Sequence, residues 1–214
     1  DKRIGKLFLN AGPGFGGSCF KKDISNLVYI YNHYGLKEEA AYWQKVIDIN
    51  NWQQHRITEI ILENLFGTIT NKKISILGFS FKANTNDTRE SPAIRICKNL
   101  LLEGGYLSIY DPQVKSEVIE NDLGLAENEY FDKKAKLGAW RFSKTILEST
   151  YDADAVIVLT EWNEFKNIEW NKIIKKMRKP SWLFDTRSIT NIEKAKNAGM
   201  KTWRLGFNEN KKLE

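Results

Sequence analysis

A cysteine, two lysines and an aspartate stand close together in this 214-residue chain. Cys19, Lys21, Lys22 and Asp23 fall within "SCFKKD", directly behind the glycines of "GPGFGG". A thiol at the start of a helix sits where the helix dipole and unpaired N–H groups favour the thiolate. Lys21 and Lys22 add positive charge, and Asp23 lies one turn along, where a carboxylate can orient a water or a base. These residue types at this spacing make a nucleophile's environment. A buried cysteine in a glycine-rich turn is the competing reading. The second cysteine, Cys97, falls inside an apolar helical pattern and reads as a small buried hydrophobe.

The glycines fall as Gly12-x-Gly14-x-x-Gly17, the literal dinucleotide-binding pattern. That fingerprint needs a strand before it and a second parallel strand after its helix. Here the preceding run "KLFLNA" is short, and the helix that follows is succeeded by another helix, so the pattern fails its context. The glycines keep a physical use. They permit positive φ and close backbone approach to a ligand, and successive N–H groups in such a turn can hold an anion.

The elements that must position these residues follow from periodicity. Phe20, Ile24, Leu27, Val28 and Tyr31 mark one face of a helix over 19–33, with Ser18 expected at its N-cap and Gly35 at its stop. A second helical pattern runs from about Lys37 to Phe66, with Ala40, Trp43, Val46, Ile47, Asn50, Ile57, Ile60, Ile61 and Leu65 recurring at threes and fours. Helices this long are uncommon in globular proteins. It is the expected homo-oligomer (dimer) element, with a buried monomer spine as the alternative.

After residue 70 short apolar runs alternate with helical ones. "KKISILGF", "YLSIYDP", "AWRFS", "AVIVLTEW", "WLFDTR" and "MKTWRL" read as strands. Helices are expected over "SPAIRICKNLLLEGG", with Ser91 at the N-cap and Pro92 at N1, and over 144–150, 169–178 and 190–198. The fold class is therefore α/β: a helical central segment, 1–70, followed by a doubly wound, mainly parallel Rossmann-like sheet, 71–214.

Ligands of such a sheet sit outside the carboxyl ends of its strands. Four loops leave those ends: 79–90, Asp111-Pro112, Thr160-Glu161-Trp162 and Asp185-Thr186-Arg187. Lys82, Arg89 and Arg187 stand in them and suit a phosphate or carboxylate ligand. Surface salt bridges with Asp87, Glu90 or Asp185 are the structural alternative. After the strand "ISILG" only one glycine follows, so this sheet favours a nucleotide sugar or a share of a cofactor over a full NAD site.

Composition agrees with an ordinary globular protein: 42% hydrophobic, 28% charged, net charge +6. The positive balance suits an anionic ligand. Lys172, Lys175, Lys176, Arg178 and Lys179 read as a solvated helix end, and no nucleic-acid-binding motif is found. No run approaches a membrane span and no secretory leader is seen, so no membrane partner and a cytoplasmic location are expected. Two cysteines are too few for a disulfide framework, and no metal site is expected. The first residue is Asp1, so a piece or a processed product is expected.

"GPGFGGSCFKKD", "YWQKVIDINNWQQHRI", "ILGFSFKANTNDTRESPAI", "LSIYDP", "VIVLTEW" and "WLFDTR", in this order, resemble the nucleotide-sugar 6-dehydrogenase family over essentially the whole chain. "SCFKKD" followed by "DTRES" looks most like the UDP-glucose branch; the UDP-N-acetylmannosamine and GDP-mannose branches are its rivals. The resemblance implies oxidation of UDP-glucose to UDP-glucuronate by two NAD through a cysteine thiohemiacetal and thioester. It implies that Cys19 is the nucleophile and that Asp23 helps activate the hydrolytic water. It implies cofactor contacts at Cys19, Phe20, Lys21, Lys22 and Arg89. Sugar-nucleotide contacts are implied at Asn10, Ala11, Gly12, Pro13, Gly14, Phe15, Gly16, Phe81, Lys82 and Arg187, with Arg3 reaching across a dimer. Asn10 stands where some relatives have a basic residue. The family's true GxGxxG domain and its catalytic lysine and asparagine have no counterpart in these 214 residues. The chain is therefore expected to be the central helix plus carboxyl-terminal domain, without turnover of its own. A non-catalytic module that binds a UDP-sugar and dimerises is the alternative.

Overall fold

The computed structural model describes residue 5, residues 9–128 and residues 137–207. The glycine loop leads into α1 (Phe20–His33), and Gly35 turns the chain into α2 (Lys37–Asn64). The reversal is closed by Leu36 N–H donating to Tyr31 O at 2.9 Å and Gly35 N–H to Asn32 O at 3.1 Å. Ala40, Ile47, Asn50, Gln54, Ile57, Thr58 and Ile61 form the buried stripe of α2 at helical spacing. Its amino-terminal half pairs with α1, and its carboxyl-terminal half lies on the sheet through Ile57, Ile61 and Leu65.

Six strands follow: β1 (Lys73–Leu77), β2 (Tyr106–Tyr110), β3 (Ala139–Phe142), β4 (Ala155–Val158), β5 (Trp182–Asp185) and β6 (Lys201–Arg204). They form one sheet in the order β3-β2-β1-β4-β5-β6, every pair parallel. This is the doubly wound order expected, fully parallel among the described residues. Right-handed crossovers place the connecting helices on both faces.

Strand alternation divides the core in two. Ile74 and Ile76 of β1, with Ala155 and Ile157 of β4, face α2, α3 (Pro92–Leu102) and α4 (Ser116–Leu123). Leu77, Val156 and Val158 face the other layer, built from Phe165, α6 (Trp170–Ile173) and α7 (Ile192–Asn197). Each fully buried aliphatic side chain contributes about 2 kcal/mol. Under α5 (Ile146–Thr150), Ser149 Oγ donates to Ser108 O at 2.6 Å and lies 2.6 Å from Ser75 Oγ, so the polar groups there are mutually satisfied.

Several local expectations are revised. Ser18 does not cap α1: Cys19 holds the N-cap position with no side-chain cap bond, and Ser18 Oγ lies 3.6 Å from the Cys19 sulfur. Ser91 does cap α3, accepting from Ala93 N–H, with Pro92 behind it. The helix expected over 169–178 is one α-turn that tightens into a 3₁₀ turn, Ile174–Lys176. Arg178 stays exposed, as expected, and there pairs with Asp152 (2.6 Å) and Asp154 (3.3 Å). α4 and a 3₁₀ turn at Asn163–Asn167 stand where no helix is predicted. No helix of the described residues is long and apolar enough to cross a membrane.

Candidate functional site

Strand order reverses between β1 and β4, so the crevice of a doubly wound sheet opens at their carboxyl ends. Arg187, from the loop after β5, lies across it. Its Nε donates to Leu159 O at 2.8 Å, and its Nη2 to Phe81 O at 3.2 Å. Glu161 Oε2 stands 3.2 Å from Nε. Desolvation lowers the guanidinium pKa, and the Glu161 charge opposes that shift. The partner of Arg187 is thus Glu161, and neither Asp87, Glu90 nor Asp185. Asp185 instead accepts the Arg187 backbone N–H at 3.1 Å and is held by Thr190.

The loop that carries Phe81 and Lys82 is anchored by one buried carboxylate. Asp111 Oδ2 accepts from Phe79 N–H (2.7 Å), Ser80 N–H (3.1 Å) and Trp162 Nε1 (3.1 Å), and its Oδ1 accepts from the Gln113 and Val114 amides. The loops after β1, β2 and β4 therefore share one acceptor. The Phe79 and Ser80 amides are those that a dinucleotide turn would offer a pyrophosphate. Here a protein carboxylate engages them, so the β1 turn does not fit a cofactor pyrophosphate. Lys82 stays exposed, its ammonium 5.3 Å from the Phe81 ring centroid.

The glycine loop crosses above this edge, held from both sides. Asn50 of α2 accepts from Phe15 N–H at 2.9 Å and donates to Phe15 O at 3.2 Å. Gly14 has φ +136, and a Cβ there would come within 2.7 Å of Asn50 Oδ1, so both conformation and space require glycine. On the sheet side, a Cβ at Gly16 would meet Glu90 O at 2.5 Å. Gly17 N–H donates to Arg89 O at 2.8 Å. A Cβ at Gly12 would lie 3.1 Å from Arg187 Nη1, which puts the loop directly on the buried cation. Pro13 is buried, Asn10 and Ala11 are exposed, and Ala11 lies beside Gly206 after β6.

Cys19 ends the loop as an exposed thiol at the first turn of α1. Asp23 is exposed one turn on, its N–H donating to Cys19 O at 2.8 Å. Phe20 meets Phe15 edge to face at 4.6 Å. Lys21 crosses to Glu90 at 2.6 Å, tying α1 to the loop after β1, while Lys22 points to solvent. Arg89 makes a two-pronged contact with Asp87, 2.9 and 2.7 Å. Asp87 raises the Arg89 pKa, and Cys19 is near enough to add to that rise. Cys97 is fully buried, and desolvation pushes its thiol pKa up.

The structure thus brings Gly12–Gly17, Phe81, Arg187, Cys19 and Arg89 onto one continuous surface, with Lys82 and Asp23 at its margins. Arg3 lies outside the described residues. Asn50 and Gln54 under the loop are absent from the sequence reading of the site, and Asp111 beneath the edge and Glu161 against Arg187 are placed in its loops without a role. Asn50 carries a signal in retrospect, as a polar residue at a core-face position of α2. Among the described residues no cluster of three or more metal-ligating side chains occurs.

Comparison with known proteins meets this geometry. Residues 75–192 match the UDP-binding domain of the UDP-glucose/GDP-mannose dehydrogenase family, and residues 1–52 match that family's central domain. The chain is 47% identical to UDP-glucose 6-dehydrogenase 4 of Arabidopsis thaliana, over 96% of this chain and 44% of that protein. It is 44% identical to the UDP-glucose 6-dehydrogenase of Drosophila melanogaster, over 96% and 43%. The solved structure of a UDP-glucose dehydrogenase from Pyrobaculum islandicum superposes with a TM-score of 0.72 at 26% identity, covering 95% of this chain and 40% of that one. The chain therefore spans less than half the length of these relatives. By these matches, the chain belongs to the UDP-glucose/GDP-mannose dehydrogenase family.

Proposed function

We propose that this chain is the sugar-nucleotide-binding and cysteine-bearing portion of a cytoplasmic, NAD-dependent enzyme that oxidises UDP-glucose to UDP-glucuronate. One observation carries the reading. The glycine loop delivers Cys19 from above the crevice, while Arg187 meets the same loop at Gly12 from below. A nucleotide diphosphate on that surface would find a desolvated cation in Arg187 and an exposed one in Lys82. Both favour phosphate oxygens. The backbone of Asn10–Gly16 and the Phe81 ring would line the rest, and Arg3 would add a contact across a dimer.

The two oxidations follow from the chemistry of the C6 carbon. Bound NAD supplies a hydride acceptor, one molecule for each step. The alcohol first loses a hydride and a proton to become an aldehyde. The Cys19 sulfur adds to the aldehyde carbon, whose oxygen takes up the thiol proton, giving a thiohemiacetal. Loss of a second hydride and that proton leaves a thioester. A water oriented by Asp23 attacks the acyl carbon and releases the thiol and the carboxylate. For the cofactor, Cys19–Lys22 and Arg89 offer contacts at the loop's end. The β1 turn adds no pyrophosphate cradle, because Asp111 engages its amides. We divide the chain at residue 70, with α1 and α2 as the segment through which two copies pair.

Turnover by the full-length protein tests this. Two NADH are expected per UDP-glucose, with UDP-N-acetylmannosamine and GDP-mannose as poorer substrates. Cys19→Ala should abolish formation of the carboxylate, and Lys82→Ala or Arg187→Ala should raise KM for the sugar nucleotide about tenfold or more. Full carboxylate yield from Cys19→Ala would remove Cys19 from the reaction.

A further inference from the structure

A second cleft, of about 580 Å³, opens between α2 and α3, and none of residues 10–17 lines it. Its walls include Gln54 and His55 from α2 and Arg95, Lys98 and Asn99 from α3. Asn99 Nδ2 reaches Thr58 Oγ1 at 3.4 Å, which ties the walls together beneath the opening.

Two features suit a ligand here, and the first of them suits an anion. Arg95 and Lys98 sit three residues apart on one helix face, so their like charges repel. Both are exposed, and neither has a carboxylate partner among the described residues. The acid that lines the cleft, Glu90, is already engaged by Lys21 at 2.6 Å. The second feature is Gln54. Only 5% of it is exposed, it borders the cleft, and its side-chain amide has no hydrogen-bond partner among the described residues. The side chain is buried while its amide keeps access to solvent, so the amide is free to meet a ligand's polar edge. The α3 N-terminus contributes little, since Ser91 caps it and Pro92 has no N–H.

We propose that this cleft binds a phosphorylated small molecule of mononucleotide size, with its phosphate on Arg95 and Lys98 and a polar edge on Gln54. The volume suits such a ligand, and the paired cations suit its phosphate. Gln54 also lies beside the glycine loop, where a Cβ at Gly14 would approach its Nε2 to 3.1 Å. The cleft and the loop thus share a wall.

Calorimetric titration of the full-length protein with pyrophosphate and with AMP tests the site. Three proteins are compared: the parent, the double variant Arg95→Gln/Lys98→Gln, and the double variant Lys82→Ala/Arg187→Ala. Both cations of the cleft are exposed, so the first variant should melt like the parent. The expected result is a saturable binding step that weakens at least tenfold in Arg95→Gln/Lys98→Gln and persists in Lys82→Ala/Arg187→Ala. No saturable step, or a step unchanged by Arg95→Gln/Lys98→Gln, overturns the proposal. Loss confined to Lys82→Ala/Arg187→Ala also overturns it, and assigns the anion to the sheet edge instead.

Discussion

Asn50 binds both polar atoms of the Phe15 backbone, accepting its N–H at 2.9 Å and donating to its carbonyl at 3.2 Å. One side-chain amide thus performs the pairing that a neighbouring strand would otherwise give. It fixes the middle of the glycine loop to α2. An aspartate at this position keeps the acceptor and sets a carboxylate oxygen against the Phe15 carbonyl.

Asn50→Asp is therefore expected to lower affinity for UDP-sugars about tenfold while changing global stability by about 1 kcal/mol. Calorimetric titration with UDP and a melting curve on the same protein separate the two effects. Equal UDP affinity in variant and parent would show that the clamp does not set the loop for binding.

Asp111 holds three loops at the sheet's carboxyl edge through backbone amides of Phe79, Ser80, Gln113 and Val114 and the indole of Trp162. Asparagine is nearly isosteric, but either amide orientation points an NH₂ group at donors. Asp111→Asn should cost about 2–4 kcal/mol of stability through lost acceptors and unsatisfied donors. Denaturant midpoints measure it. A loss under 0.5 kcal/mol, taken as roughly the noise floor of a surface change, would mean that the loops are held by other contacts.

The sequence made the frame of this site legible and hid its supports. Gly35 and Gly67 bracket α2, and its apolar residues recur at helical spacing, so the long helix is read to within two residues of Asn64. The strand ends are marked by turn residues, so the loop carrying Arg187 is placed at the right edge. α4 is different: it has eight residues and its N-cap, Lys115, makes no side-chain cap bond, so neither length nor N-cap announces it. Glu161 pairs with Arg187 across 26 positions of chain, a relation that only the order β1-β4-β5 creates. Asp111 reads as a turn former in "YDP", although its carboxylate reaches two other loops.

Lys73 gives a pH dependence with a defined sign. Burial lowers its pKa from 10.5 to about 8, with Arg141 adding to the shift and Asp152 opposing it. Its Nζ donates to Tyr151 O at 2.5 Å. Between pH 8 and 10.5 the unfolded chain binds the proton more than the fold does, so stability rises with pH across that window. Below pH 8 the penalty is constant. Compared with Lys73→Met, the parent should gain stability as pH rises from 8 to 10, by denaturant titration at each pH. A constant difference across that range would mean that the ammonium is solvated in the fold.

The outer face of α2 carries Tyr42, Ile49 and Trp52, exposed at 68%, 63% and 56%. Spacings of seven and three residues put them on one stripe of the helix, opposite the buried face. Large apolar side chains in a continuous line on a long helix mark an association surface. If two copies pair through this stripe about a two-fold axis perpendicular to α2, contacts are reciprocal and the helices run antiparallel. Ile49 stands near the midpoint of α2, so it would meet its own copy. Ile49→Glu then sets two carboxylates face to face and should shift sedimentation from dimer to monomer at micromolar concentration. Ile49→Cys should instead form a disulfide between copies under mild oxidation, because the two sulfurs approach across the axis. A parent chain that sediments as a monomer at every concentration sinks the pairing. A dimer that survives Ile49→Glu and yields no cross-link from Ile49→Cys moves the interface to another face.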